Sequence, residues 1–450
     1  MKIYIFVIFL LIILGCNQKE HPTYDLLISN VDLIDGTGNP IQSGVSIGIN
    51  NGKIQVIEKG IHGSAKKNID GAGKYLIPGL FDCHIHTIDY EEDFPKFVHY
   101  GVTSVFITGG SLCTDDYYAE MREHGNQDSV PSPRVFHTSQ HFSMEGTHPS
   151  KTYTGNQWRD GESIFYLKDT LQIEKLVARV AKQPIAGIKL TIEDGPEPPF
   201  VERMPQRFID KTVNEGKKYG LEVFAHVSDN IELEMAIKAR VQNLVHFTGI
   251  DIDLKDSAQV RLLSEFRKRN PSWITTMMID KSFLYPLYPE WFNAQTLLPE
   301  YQAQSKRVTQ KSKWFATAYR NFYKESYGLE EDDLPVLMKP QVQDIQYLYD
   351  KGFNMVLGTD IGGDFNFQGH SLHEEMELLA MGGMRPLDII KMGTLNAAKM
   401  LKIDDELGSI EVGKLADMVL LDENPLQSIT NTQSIQLVIK NGIIQHRISN

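Results

Sequence analysis

Pro78-Gly79-Leu80-Phe81-Asp82-Cys83-His84-Ile85-His86-Thr87 carries two histidines one residue apart at the end of an apolar, turn-prone run. Side chains alternate along a strand, so Asp82, His84 and His86 point one way and Cys83 and Ile85 the other. Two imidazoles on one face can hold a metal ion, because neutral imidazole is a common ligand. Alone, the pair is also compatible with a histidine-rich strand end that binds nothing. The rest of the chain decides between the two.

Eight short apolar segments, the one before His84 included, punctuate the middle of the chain. The others are Thr103–Thr108, Arg134–Ser139, Gly187–Thr191, Leu221–His226, Asn243–His246, Trp273–Met278 and Asn354–Asp360. Helical patterns separate most of them, for example Ile173–Ala181, Asn230–Lys238 and Gln341–Tyr349. Eight β/α units predict an α/β fold of the TIM (β/α)8 barrel type. Both chain ends read differently. Tyr24–Ile57 and Asp417–Ile439 alternate as short strands, with turns at Asn50-Asn51-Gly52 and Lys440-Asn441-Gly442. They predict a small β-sandwich built from residues 24–76 and 404–450, enclosing a barrel over 77–403.

In a barrel of this kind the active site forms where the strands end. His84 and His86 end the first strand and Lys189 lies on the fourth. His226 ends the fifth, His246 the sixth and Asp360 the eighth. These polar residues follow apolar strand residues, where a polar group is costly without a partner.

The 450 residues are 41% hydrophobic and 10% aromatic, enough for one large domain with a smaller companion. The formal net charge is -13 and no dense Lys/Arg run occurs, which argues against a nucleic-acid partner. Met1-Lys2 precedes an unbroken apolar run, Ile3–Leu14, of signal-peptide length. Ile13-Leu14-Gly15-Cys16 resembles the lipobox of bacterial lipoproteins, in which the cysteine is lipidated after cleavage. Residues 1–16 are thus expected to be a signal peptide and 17–23 a polar tether. Cys16 is expected to anchor the protein by lipid to the membrane of the cell envelope, facing the periplasm. Cys83 and Cys113 make no disulfide framework.

Pro78–Thr87 is similar to the opening motif of the amidohydrolase superfamily, and Gly101-Val102-Thr103-Ser104-Val105 to its second strand. The likeness continues through Ser132–Gln140, Ile188-Lys189-Leu190, Phe224-Ala225-His226, Leu244-Val245-His246 and Leu357-Gly358-Thr359-Asp360. It closes with Thr394–Ile403 and Leu407–Pro425, and so covers nearly everything after the leader. The branch it resembles is the imidazolonepropionase-like and prolidase-like one, whose fold is a TIM barrel with a β-sandwich made from both chain ends.

The resemblance implies a metal-dependent hydrolase of an amide-type C–N bond, with a small-molecule amide or a dipeptide as substrate. His84 and His86 would bind one ion with Asp360, His226 and His246 a second, and Lys189 would bridge both as a carbamate. Zinc is the first expectation for a His/carboxylate set, with manganese, cobalt or iron as alternatives. A metal-activated hydroxide would attack the carbonyl, and Asp360 would carry the proton to the leaving nitrogen. His148, in Glu145-Gly146-Thr147-His148, would contact the substrate carbonyl or its oxyanion, although the family's Gly-Gly-His reads Gly-Thr-His here. Other readings stay open: an unmodified Lys189 paired with Asp82 or Asp360, and His226 and His246 as core histidines. So do a dipeptidase, a single-metal cyclic amide hydrolase and a lipid-anchored binding protein with a dead barrel. His137, His141, His370 and His373 read as packing residues. Residues 279–338 form an aromatic-rich insertion, whose first group, Phe283 to Phe292, is a candidate lid.

Overall fold

Turn chemistry and alternation build the two ends of the chain, and continuous apolar runs build its middle. The computed structural model describes residues 23–448 except 62, 129, 154–156, 196–199, 248–251, 292–312, 331–333 and 363–365. Cys16, the apolar leader and tether residues 17–22 lie outside the described residues, as does much of the 279–338 insertion, Phe292 included.

The described chain opens with β1 (Thr23–Leu33), β2 (Gln42–Asn50), β3 (Lys53–Glu58), β4 (Ser64–Asp70) and β5 (Tyr75–Pro78). Asn51 and Gly52 join β2 to β3 with φ of 50° and 72°, the positive pair that a two-residue hairpin turn demands. Next come β6 (Leu80–Ile85), β7 (Val102–Ile107), β8 (Arg134–His137), β9 (His141–Ser143) and β10 (Ile164–Tyr166). They are followed by β11 (Gly187–Thr191), β12 (Glu222–His226), β13 (Asn243–Val245), β14 (Ser272–Ile274) and β15 (Asn354–Val356). The last strands are β16 (Met418–Leu421), β17 (Ile435–Lys440) and β18 (Ile443–Ile444), the final pair joined by Asn441 and Gly442 at φ 51° and 71°.

Both ends share one eight-stranded sheet, ordered β18-β17-β16-β5-β1-β2-β3 with β4 also on β1. Leu26, Ile28 and Val31 of β1 pack with Val45, Ile47 and Ile49 of β2 and with Met418, Leu420 and Ile439 from the far end. The middle strands are parallel, and β6, β7 and β11 are buried along their whole lengths, as strands covered on both faces should be. They form two sheets, β6-β7-β8 and β10-β9-β11-β12-β13-β14-β15. Hydrogen bonds link the sheets at both edges. Ala186 N–H donates to His137 O and Ser139 N–H to Gly187 O, each at 2.9 Å. Cys83 N–H donates to Leu357 O at 3.0 Å and Asp360 N–H to His84 O at 2.9 Å. Gly358 permits that second junction, because a Cβ there would lie 2.6 Å from Ile274 Cγ2 and 2.9 Å from His84 Cβ.

The third, seventh and eighth expected strands end well before their apolar runs do, the eighth at Val356, four residues short of Asp360. The third breaks after His137 and resumes as β9, because the Ser139 hydroxyl takes the Lys189 amide N–H at 3.2 Å in place of a carbonyl. The seventh ends at Ile274 and turns through Thr276, at φ 52°, into the helix Met277–Leu284. Glu375 draws that turn inward, bonding the Thr275 hydroxyl and accepting the Met278 N–H at 2.6 Å. Within the insertion, Tyr288 stacks on Trp291 at 4.0 Å, while Tyr285 is buried and donates to Glu374 Oε1 at 3.0 Å.

Candidate metal centre

Alternation along β6 and the residue that follows it aims His84 and His86 at Asp360, four residues past the end of β15. His84 Nε2 and His86 Nε2 lie 3.1 and 3.2 Å from Asp360 Oδ1, and 3.2 Å from each other. A cation with bonds of about 2.0–2.2 Å spaces neighbouring donors at about 3–3.5 Å. The three donor atoms therefore fit one face of a coordination shell. His86 Nδ1 is 2.6 Å from Gly109 O, so it carries the proton and leaves the Nε2 lone pair to face the site. Burial, then the Lys189 charge, lowers the His84 pKa to about 3, so the ring is a neutral ligand. Burial would raise the Asp360 carboxyl. Its close histidine neighbours, His84 first and then His246, instead hold it well below the usual range in the metal-free site.

Asp82 shares the strand face but stops one layer below. It accepts from Thr359 N–H at 3.1 Å and from the Thr359 hydroxyl at 2.7 Å, and so fixes the residue before Asp360. Burial raises its pKa to about 7.

A second pair faces the first. His226 Nδ1 lies 3.2 Å from His246 Nε2, and the rings stand 4.0 Å apart. His246 Nδ1 meets the Thr276 hydroxyl at 2.9 Å, which explains the early end of β14. Burial lowers the pKa of both rings, that of His246 well below the usual histidine value. Lys189 on β11 is fully buried, and its Nζ has no hydrogen-bond partner among the described residues. Burial lowers its pKa to about 8 against the opposing pull of Asp360 and Glu193.

His148 is 1% exposed, and both its ring nitrogens are engaged. Nδ1 meets the Thr152 hydroxyl at 2.6 Å and Nε2 meets Glu193 Oε1 at 2.9 Å, so the ring reaches a substrate only by breaking one of these contacts. Glu193 also holds His226, through Oε2 and Nε2 at 2.7 Å. The sequence reading missed Glu193. The signal was present: Lys189, Thr191 and Glu193 are spaced by two and share a face if β11 is extended past its end. Two clusters could each hold a cation, His84 with His246 and Asp360, and His148 with Glu193 and His226.

His137 stacks on Tyr118 at 3.9 Å, and His373 bonds Thr432 and Tyr100 O, both as packing histidines. His141 bonds the Thr191 hydroxyl at 3.0 Å beside Lys189. His370 pairs with Glu374 at 3.2 Å, outside both clusters.

Residues 294–444 match the sequence profile of the amidohydrolase family. N-acetylglucosamine-6-phosphate deacetylase of Lysinibacillus sphaericus is 27% identical over 180 residues, which cover 38% of this chain and 44% of that protein. The chain thus matches less than half the length of that relative. Ochratoxinase of Aspergillus niger is 22% identical over 393 residues, 79% of this chain and 71% of that protein. The crystal structure of a Xaa-Pro dipeptidase with bound methionine superposes with a TM-score of 0.68 at 22% identity, covering 94% of this chain and 99% of that one. The likeness shows a shared α/β fold. The family match and these hydrolase neighbours together support a hydrolase acting on C–N bonds.

Proposed function

We propose that this chain is a metal-dependent amidohydrolase that cleaves an amide-type C–N bond in a small molecule or dipeptide. The strands β6-β7-β8-β11-β12-β13-β14-β15 would form its eight-stranded barrel, and the sheet of both chain ends its companion domain. The observation that carries the reading is the donor set. Three donor atoms sit 3.1–3.2 Å apart on His84, His86 and Asp360, and two more face each other at 3.2 Å on His226 and His246. Lys189, buried with an unpartnered amine, supplies a sixth position if carbon dioxide converts it to an anionic carbamate, releasing one proton. Zinc suits such a set best.

A bound divalent cation supplies Lewis acidity and lowers the pKa of water to about 7. The chain's own residues do the rest. The neutral rings of His84 and His246 and the ionised Asp360 hold the positive charge. Asp360 takes the proton of the attacking water on a carboxylate oxygen and returns it to the leaving nitrogen. The test is a screen of zinc-loaded protein lacking residues 1–16 against X-Pro and other dipeptides, N-acyl amides, cyclic amides, esters and lactones. Turnover of linear amides or dipeptides is expected, abolished by chelation and restored by zinc. Metal binding with no turnover in any class would instead support the binding protein, and turnover of cyclic amides alone the single-metal enzyme.

We further propose that Cys16 anchors the protein by lipid to the cell envelope, on the motif that ends the apolar leader. Among the described residues no helix is long and apolar enough to cross a membrane. The full chain is expected in the membrane fraction and the Cys16→Ser variant in the soluble fraction or unprocessed. Soluble wild-type protein that retains residues 1–16 would remove the idea.

A further inference from the structure

We infer that Glu375 is a positioning residue for the metal centre, acting through the turn at Thr275-Thr276 on the ring of His246, an inference that rests on the metal centre proposed above. His246 follows β13 with φ at 75°, and Thr276 lies two residues past β14 with φ at 52°. Left-handed backbone is uncommon outside glycine and an outlier for a β-branched residue, and it persists only where the surroundings over-determine it. Three hydrogen bonds join His246 and its neighbour to β14 and the turn after it. Trp273 Nε1–H donates to His246 O at 2.5 Å, and Phe247 N–H donates to Thr275 O at 3.0 Å. The Thr276 hydroxyl meets the His246 ring at Nδ1, at 2.9 Å. The ring's other nitrogen is the one that faces His226. Thr276 therefore sets the angle of the ring, and what fixes Thr276 fixes the ligand.

Glu375 clamps the chain on both sides of Thr276. It is fully buried in the helix His370–Met381, 100 residues beyond Thr275. One carboxyl oxygen bonds the Thr275 hydroxyl, and the other accepts the Met278 N–H at 2.6 Å. Thr275 is tied to β15 as well, since its N–H donates to Val356 O at 3.0 Å and its hydroxyl lies 3.4 Å from the same oxygen. The clamp needs no negative charge. Burial raises the Glu375 pKa to about 8, so at neutral pH the carboxyl is mostly protonated. A neutral carboxyl that donates to Thr275 and accepts from Met278 makes the pattern a glutamine amide would repeat.

The experiment measures zinc affinity in the full-length protein by competition with a chelator, with thermal melts of every metal-free variant. Thr276→Val keeps the shape of the side chain and removes the hydroxyl. It should weaken the ion held by His246 by about 10–100-fold, the usual cost of an outer-shell partner. Glu375→Ala should weaken the same ion by about tenfold or more. Glu375→Gln should recover most of that loss. Adding Thr276→Val to Glu375→Ala should cost less than about twofold more, because residues that act in one chain are non-additive. Leu379→Ala empties a buried apolar position on the same helix, and should lower the melting temperature while leaving zinc affinity unchanged. Thr275→Val takes away only one of the two bonds to Glu375. It should weaken zinc in the same direction, and it carries the test if Glu375→Ala does not fold. Unchanged zinc affinity in folded Glu375→Ala or in Thr275→Val would overturn the inference, as would additive losses. So would a Glu375→Gln no better than Glu375→Ala, or an equal loss of affinity in Leu379→Ala, which would lay the effect on helix packing. Failure of the metal centre has a different signature: wild-type protein that binds no zinc would overturn that reading and this one with it.

Discussion

Replacement of Asp360 by asparagine is expected to lower kcat by about 10²–10⁴, the usual share of a positioned proton carrier, while most of the metal stays bound. Asparagine keeps the size of the side chain and one oxygen at the position that sits 3.1 and 3.2 Å from the two histidine nitrogens. It removes the basic oxygen. The wild-type rate should fall as the pH drops through the Asp360 pKa, because the protonated carboxyl cannot accept a proton. Its neighbours hold that pKa well below the usual carboxylate range, so the limb lies at acid pH. In Asp360→Asn that limb should disappear. Stopped-assay kinetics across pH, with elemental analysis of the same samples, make the check. A variant with near wild-type kcat and the same acidic limb would mean that another group moves the proton.

Lys189→Ala should lower the metal content from about two ions per chain to about one, with a loss of affinity of at least about 10–100-fold at the emptied position. The metal-free proteins should show a second effect. Trimming the stem removes about 2–3 kcal/mol of apolar burial. It also removes a fully buried amine with no partner, whose desolvation costs on the order of several kcal/mol if charged. Metal-free Lys189→Ala is therefore expected to melt no lower than metal-free wild type, while metal-loaded wild type melts higher than either. One ion per chain, unchanged in Lys189→Ala, would favour a single-metal enzyme.

Most strand positions were legible because their physics is local. A buried parallel strand needs an uninterrupted apolar run, and a hairpin needs residues such as Asn51-Gly52 that tolerate positive φ. The helix Asn230–Lys238 follows its pattern residue for residue. The six polar residues on or just after strands were picked out by the same route, and the structure sets His84, His86 and Asp360 within 3.2 Å of one another and His226 3.2 Å from His246, with Lys189 buried on β11. What was not legible depends on partners distant in sequence. β14 ends at Ile274 because His246 and Glu375 claim the hydroxyls of Thr276 and Thr275, a hundred residues away in the second case. Glu193 follows its strand as an ordinary glutamate, and only the two rings beside it distinguish it from a solvated one. His148 has the same difficulty: its motif suggests a loop open to substrate, whereas Thr152 and Glu193 enclose the ring.

The sheet shared by both chain ends also constrains how the protein is made. β5 ends at Pro78 and its antiparallel partner β16 begins at Met418. At about 5–20 residues per second, a ribosome needs roughly 20–70 s to deliver the second strand after the first. Throughout that interval the edge of β5 that β16 will cover is an open template for pairing with other chains. The nascent protein thus relies on its parallel core, or on a chaperone, to stay soluble until the last strands emerge. A chain truncated late in synthesis would carry every one of the six rim residues and still expose that edge, which marks it for proteolysis or aggregation.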